Sequence, residues 1–202
     1  MSGAGGTSRP TEGPLRRVAL WSGPASIGIS AVGILAATLL APWFSWTGNA
    51  LSDLGAAGAS TALLFNGTLI FSGLLGIPFA LLLLTVRDRW VRWIGTLLFG
   101  AAMPMLALIG VFALPSSYHG PVAVSFFLLF TIGIFVDGIG AILAGNHVDG
   151  ALSIGLAVLH VLGWIVWGIV ALEGVALPEL VGSAAIWVWV VRRFRELRGF
   201  RP

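Results

Sequence analysis

Six apolar runs, each long enough to cross a bilayer, govern what this chain can become: approximately residues 19–42, 61–86, 92–114, 121–145, 151–172 and 177–194. A hydrocarbon core of about 30 Å needs roughly 20 mostly apolar residues per helical crossing. The expected fold is therefore an all-α membrane protein, a six-helix transmembrane bundle. The breaks "TGNALSDLGAAGAS", "RDRWVR", "PSSYHG", "NHVDG" and "EGVALPE" are mostly short, so neighbouring spans should pack as antiparallel hairpins. Composition agrees, with 57% hydrophobic and 9% charged residues and a mean hydropathy of +0.99, where soluble proteins carry about a quarter charged residues. Residues 1–15, rich in Gly, Ser and Pro, read as a disordered cytoplasmic tail, 16–194 as the transmembrane domain and 195–202 as a basic cytoplasmic tail.

The arginines orient the bundle. Arg9, Arg16 and Arg17 precede the first span, Arg87, Arg89 and Arg92 lie between the second and third, and the remaining five of the eleven follow residue 191. All three segments fall on one side of a six-span count, so the positive-inside rule puts both termini in the cytoplasm and the loops 47–60, 115–120 and 173–179 outside. Trp43 and Trp46 would mark the outer interface, and Trp21, Trp90, Trp93, Trp187 and Trp189 the inner one. The first apolar run is longer than a signal-peptide core and no small-residue cleavage site follows it, so it reads as a retained helix in a multi-pass protein of the cell membrane.

Within lipid, helices choose one another through small residues that let backbones approach. Ser22, Ser26 and Ser30, Ser72 and Gly76, and Gly133, Gly138 and Gly140 supply such faces, while Pro78 and Pro104 each remove a backbone donor inside a span. The same small-residue faces would serve self-association into a homo-oligomer. The absence of cysteine excludes disulfides and thiolate metal sites. No cofactor and no metal site is expected. The tail "RRFRELRGFRP" adjoins a span, which favours anionic lipid as its partner and argues against nucleic acid.

Ionisable groups at membrane depth are costly and are usually functional or paired. Asp137 and His160 lie about 12 Å and 15 Å from the same side of the bilayer by helical rise. They are expected to face the bundle interior and to pair, as a structural contact or a proton relay. His147, in the intervening loop, is expected to be solvated. A second polar group gathers at the outer interface: Asn49, Ser52 and Asp53 in "GNALSDLGAAG", Asn66 in the next span, and Tyr118 and His119 in "SSYHG". Ser52 or Asp53 would cap a short helix there, and the set would converge as a ligand-binding cluster.

Three segments, "NALSDLGA", "LLFNGTLIFSGLLG" and "FALPSSYHGPVAVSFF", together resemble the prokaryotic, largely archaeal membrane family known as domain of unknown function 998. Asn49, Ser52, Gly55, Phe65, Asn66, Pro115, His119 and Gly120 stand at the family's motif positions, and the resemblance covers most of residues 19–172. Many members have glutamate near the position of Asp53, which shifts the emphasis from that residue's exact reach to its charge. The resemblance implies the fold and the outer cluster but transfers no activity. From the residues themselves, three functions remain in contention. A protein that binds or moves a lipid or small polar ligand at the outer cluster comes first. A non-catalytic membrane scaffold or assembly subunit comes second. A membrane-embedded metal-dependent hydrolase using Asp53, His119 and His160 comes third, disfavoured by the depth separating its histidines, so the chain reads as a binding protein rather than an enzyme.

Overall fold

Each apolar run becomes one α-helix: α1 (Pro14–Leu39), α2 (Ala62–Thr85), α3 (Trp90–Val111), α4 (His119–Leu143), α5 (His147–Val170) and α6 (Ala176–Gly199). A short 3₁₀ turn, Leu51–Gly55, interrupts the long loop before α2. This computed structural model describes residues 13–199, among which there is no strand. Helices α1 to α5 are long and apolar enough to cross a membrane. Helix α6 has 24 residues, but Glu179 near its start and the arginines of its last two turns dilute the apolar run.

Helix ends follow local chemistry. Pro14 opens α1, where its missing N–H would have had no helical acceptor. Helix α4 stops at a Schellman arrangement: Gly145 takes φ +85°, its N–H donates to Ile142 O, and the Asn146 N–H donates to Ala141 O. Asn146 then caps α5 by accepting from the Asp149 N–H. Two boundaries differ from expectation. Helix α1 begins inside the segment expected to be a disordered tail, of which residues 1–12 lie outside the described part. Helix α6 continues past 194 to Gly199, because the expected basic tail is not solvated throughout: Leu197 is fully buried and Glu196 turns inward onto Arg87 and Arg92.

The helices pack in chain order, each against the next, and α6 returns against α1. Small residues set the spacing. A Cβ at Gly95 would lie 2.5 Å from Asp137 N, and one at Gly133 would lie 2.9 Å from Gly95 O, so α3 and α4 meet backbone to backbone. Gly138 and Gly150 do the same for α4 and α5, and the Ser26 hydroxyl donates to Ser72 O across α1 and α2 at 2.7 Å. Between these seams sits a core that includes Phe79, Phe99, Met103, Phe130 and Trp189. Trp189 was expected at the lipid interface. It is fully buried against Phe99 instead, since its indole N–H finds an acceptor inside the bundle. Helix α5 is the least covered, burying only Gly150, Ser153, Ala157 and His160.

Candidate functional site

The connections at one end of the bundle are stitched into a single layer. The Gly174 N–H donates to Thr47 O, the Ala176 N–H to Asn49 O and the Ala57 N–H to Leu114 O. Gly174 lies so close to Asn49 that a Cβ would collide with its backbone. Within this layer the side chains of the first loop serve its own turn. Asp53 Oδ2 accepts from the Ala50 N–H and from Asn49 Nδ2, both at 3.0 Å. Asn49 Oδ1 accepts from the Ser45 N–H, and Asn66 Nδ2 donates to Gly55 O at 2.8 Å. Asn49, Asp53 and Asn66 thus shape the re-entry into α2. Tyr118 stands outside the cluster, 65% exposed with its ring against Phe112.

Ser52 and His119 face elsewhere, onto a groove of about 520 Å³ between α4, α5, α6 and the 3₁₀ turn. The groove runs from His119 to Thr131 along α4, which is about 18 Å at helical rise. Its walls are mainly apolar (Ala123, Val124, Phe127, Leu128, Val161, Trp164), and Ser52, His119 and Glu179 stand at its loop end. His119 Nδ1 lies 2.9 Å from Phe112 O. A carbonyl only accepts, so Nδ1 carries a proton, and in the neutral ring Nε2 is left as a lone-pair acceptor. Glu179 Oε2 accepts from the Leu51 N–H at 2.7 Å. No cationic side chain pairs with this carboxylate among the described residues. Sequence reasoning passed over Glu179 because it stands where the break "EGVALPE" overlaps the first residues of the sixth apolar run, and it was counted with the loop.

Asp137 and His160 both lie inside the bundle, 0% and 3% exposed, but they do not pair with each other. His160 belongs to the groove floor. It stacks on Phe130 with centroids 5.1 Å apart and takes part in a closed chain of hydrogen bonds. Thr131 Oγ1 donates to Phe127 O and so accepts from His160 Nδ1 at 2.7 Å, while Trp164 Nε1 donates to His160 Nε2 at 2.9 Å. Both ring nitrogens are satisfied only in the neutral form, a lock on register with no capacity left for proton relay.

Asp137 is held at the opposite, arginine-rich end. Arg92 Nε donates to its Oδ1 at 3.2 Å and Trp189 Nε1 to its Oδ2 at 3.3 Å, with Arg87 and Arg193 at 3.5 and 3.7 Å. Glu196 bridges Arg87 and Arg92, each at 2.9 Å, and also meets Arg193. Asp149 receives Arg192 and Arg193. The depth estimate had placed Asp137 level with His160, but the arginines that flank α3 and end α6 reach it first. His147 is exposed, as its loop position suggested. The three residues considered as metal ligands are dispersed among different duties, and no group of three His, Cys, Asp or Glu side chains among the described residues is placed to hold a metal ion.

These features define a multi-pass α-helical membrane protein, with a charge network closing one end of the bundle and a side-opening groove near the other. The chain belongs to the family described as "Protein of unknown function (DUF998)", which matches residues 24–192. Among curated proteins and among solved structures, nothing matches this chain.

Proposed function

We propose that this protein binds, and in binding extracts or moves, a membrane lipid or similar amphipathic molecule in the groove between α4, α5 and α6. The observation that carries the reading is the groove's composition: about 18 Å of apolar wall ending at Ser52, His119 and Glu179. Concave, mostly apolar sites with a few convergent polar groups are the usual form of a small-molecule site. Val124, Leu128 and Val161, 48–56% exposed, form rims that open sideways, so an acyl chain would enter from the bilayer without crossing water. The arginine distribution supports an orientation with the charge network at the cytoplasmic face and the polar end of the groove toward the outside. The exposed Arg195 and Arg198 are positioned to meet anionic lipid.

The test is a substitution that fills the groove. A Cβ at Gly120 meets nothing within 4 Å, so Gly120→Phe adds a ring at the groove's mouth without moving backbone. Purified in mild detergent, the native chain should retain lipid detectable by mass spectrometry, and the variant should retain several-fold less at an unchanged melting temperature. Equal retention by the two proteins would overturn the reading.

A further inference from the structure

We infer that the headgroup taken by this groove is the primary ammonium of a membrane aminolipid; this rests on the groove being a lipid site. The first argument is charge. The polar groups at the groove's loop end are Glu179, whose Oε1 makes no hydrogen bond among the described residues, the acceptor Nε2 left on His119, and the Ser52 hydroxyl. Two acceptors, one of them an unpaired carboxylate, call for a ligand that donates and carries positive charge. An anionic group placed there would instead set acceptors against the oxygens of Glu179 and Nε2 of His119, with no cationic side chain among the described residues beside them to offset the contact. No Lys or Arg occurs in residues 45–60, 112–120 or 171–180, while Asp53, Glu173 and Glu179 do, so the loops around the mouth carry net negative charge.

The second argument is size. A cavity of about 50 Å³ lies behind the groove and shares Ser52, His119 and Glu179 with it. One water needs about 10–15 Å³ of such space, so the cavity has room for about four groups of that size. An aminoethyl group has three heavy atoms and fits. A trimethylammonioethyl group has about six and a dihydroxypropyl group about five, and neither fits. The occupant comes from the bilayer because the groove's apolar length opens toward it.

The experiment offers the purified full-length chain an equimolar mixture of phosphatidylethanolamine, phosphatidylcholine and phosphatidylglycerol with identical acyl chains, and reads bound lipid by native mass spectrometry. The native protein should retain phosphatidylethanolamine about tenfold or more over the other two. Glu179→Gln keeps an acceptor for the Leu51 N–H, and its melting temperature reports that the fold is intact. It should lose that preference while still binding lipid. Ser52→Ala, which touches no backbone partner of the turn, should weaken the preference in the same direction. Equal retention of phosphatidylethanolamine and phosphatidylcholine would overturn the size and donor argument, and equal retention of all three would overturn the headgroup assignment while leaving the groove. Binding of none would overturn the lipid site itself.

Discussion

Replacing Asp137 with alanine should destabilise the bundle by about 4 kcal/mol, within the range of about 3–5 kcal/mol typical when one partner of a buried ion pair is removed. The magnitude follows from how dry the site is. Asp137 and Arg87 side chains are 0% exposed, Arg193 1% and Arg92 9%. With Glu196, Asp149 and Arg192, the network sets four guanidiniums against three carboxylates, and the alanine variant leaves four against two. Trp189 also loses the acceptor of its indole N–H, which adds about 1 kcal/mol or more. A loss of about 4 kcal/mol is nearly a thousandfold in the unfolding equilibrium. The assay is reversible unfolding in mixed micelles, followed by circular dichroism as denaturing detergent increases. Asp137→Asn, which still accepts from Trp189, should be less damaging than alanine. The double variant Asp137→Ala with Arg92→Met, which removes one surplus cation, should recover part of the loss. If Asp137→Ala unfolds within about 1 kcal/mol of the native chain, water reaches these arginines and the burial argument fails.

Two further outcomes can be read with the same preparation. Asp53→Ala removes the acceptor for the Ala50 N–H and Asn49 Nδ2 and should lower stability by about 0.5–2 kcal/mol, the usual range for a lost cap. Its lipid retention should be unchanged, and a loss of lipid without a loss of stability would return Asp53 to the binding site. The third outcome concerns acid. Burial opposes the charge of Glu196, but Arg87, Arg193 and Arg92 outweigh it and hold its carboxyl below the ordinary value of 4.5. A carboxyl depressed in the folded state contributes stability that is complete above its unfolded value and lost as pH falls through its folded value. The melting temperature should therefore decline below about pH 4.5, and Glu196→Gln should make that decline shallower; an identical acid limb in the variant would contradict the network.

The helices were legible because membrane crossing demands long apolar runs, and "NHVDG" and "LSDLG" carried their own capping chemistry. The partners of buried polar groups were less so. Arg87 and Arg92 were read as topology markers because they flank a span, yet α3 carries Arg92 one turn inward, where the glycines of α3 and α4 bring it against Asp137. The pairing of Asp137 with His160 failed for a related reason. Helical rise predicts depth but not azimuth, and His160 faces the α4–α6 groove while Asp137 faces the α3 seam. Within "GNALSDLGAAG", Asp53 and Ser52 are adjacent and point to different tasks, one folding the turn and the other lining the groove. A one-residue change of direction in a 3₁₀ turn leaves no trace in composition or spacing.

The two ends of the bundle also depend on each other. Helix α5 is fastened to α6 at the arginine end through Asp149 with Arg192 and Arg193, and at the other end to the loop leading into α6 through the Trp167 indole N–H to Gly174 O at 2.8 Å. Between these anchors Gly182 of α6 sits so close to His160 that a Cβ would fall 2.6 Å from Nε2, which fixes the groove floor. Helices α4 and α6 have few direct contacts, so the gap between them is spanned by α5 rather than closed. A groove pinned at both ends and along its floor is formed before any ligand arrives, so binding need not pay the entropy of shaping the site.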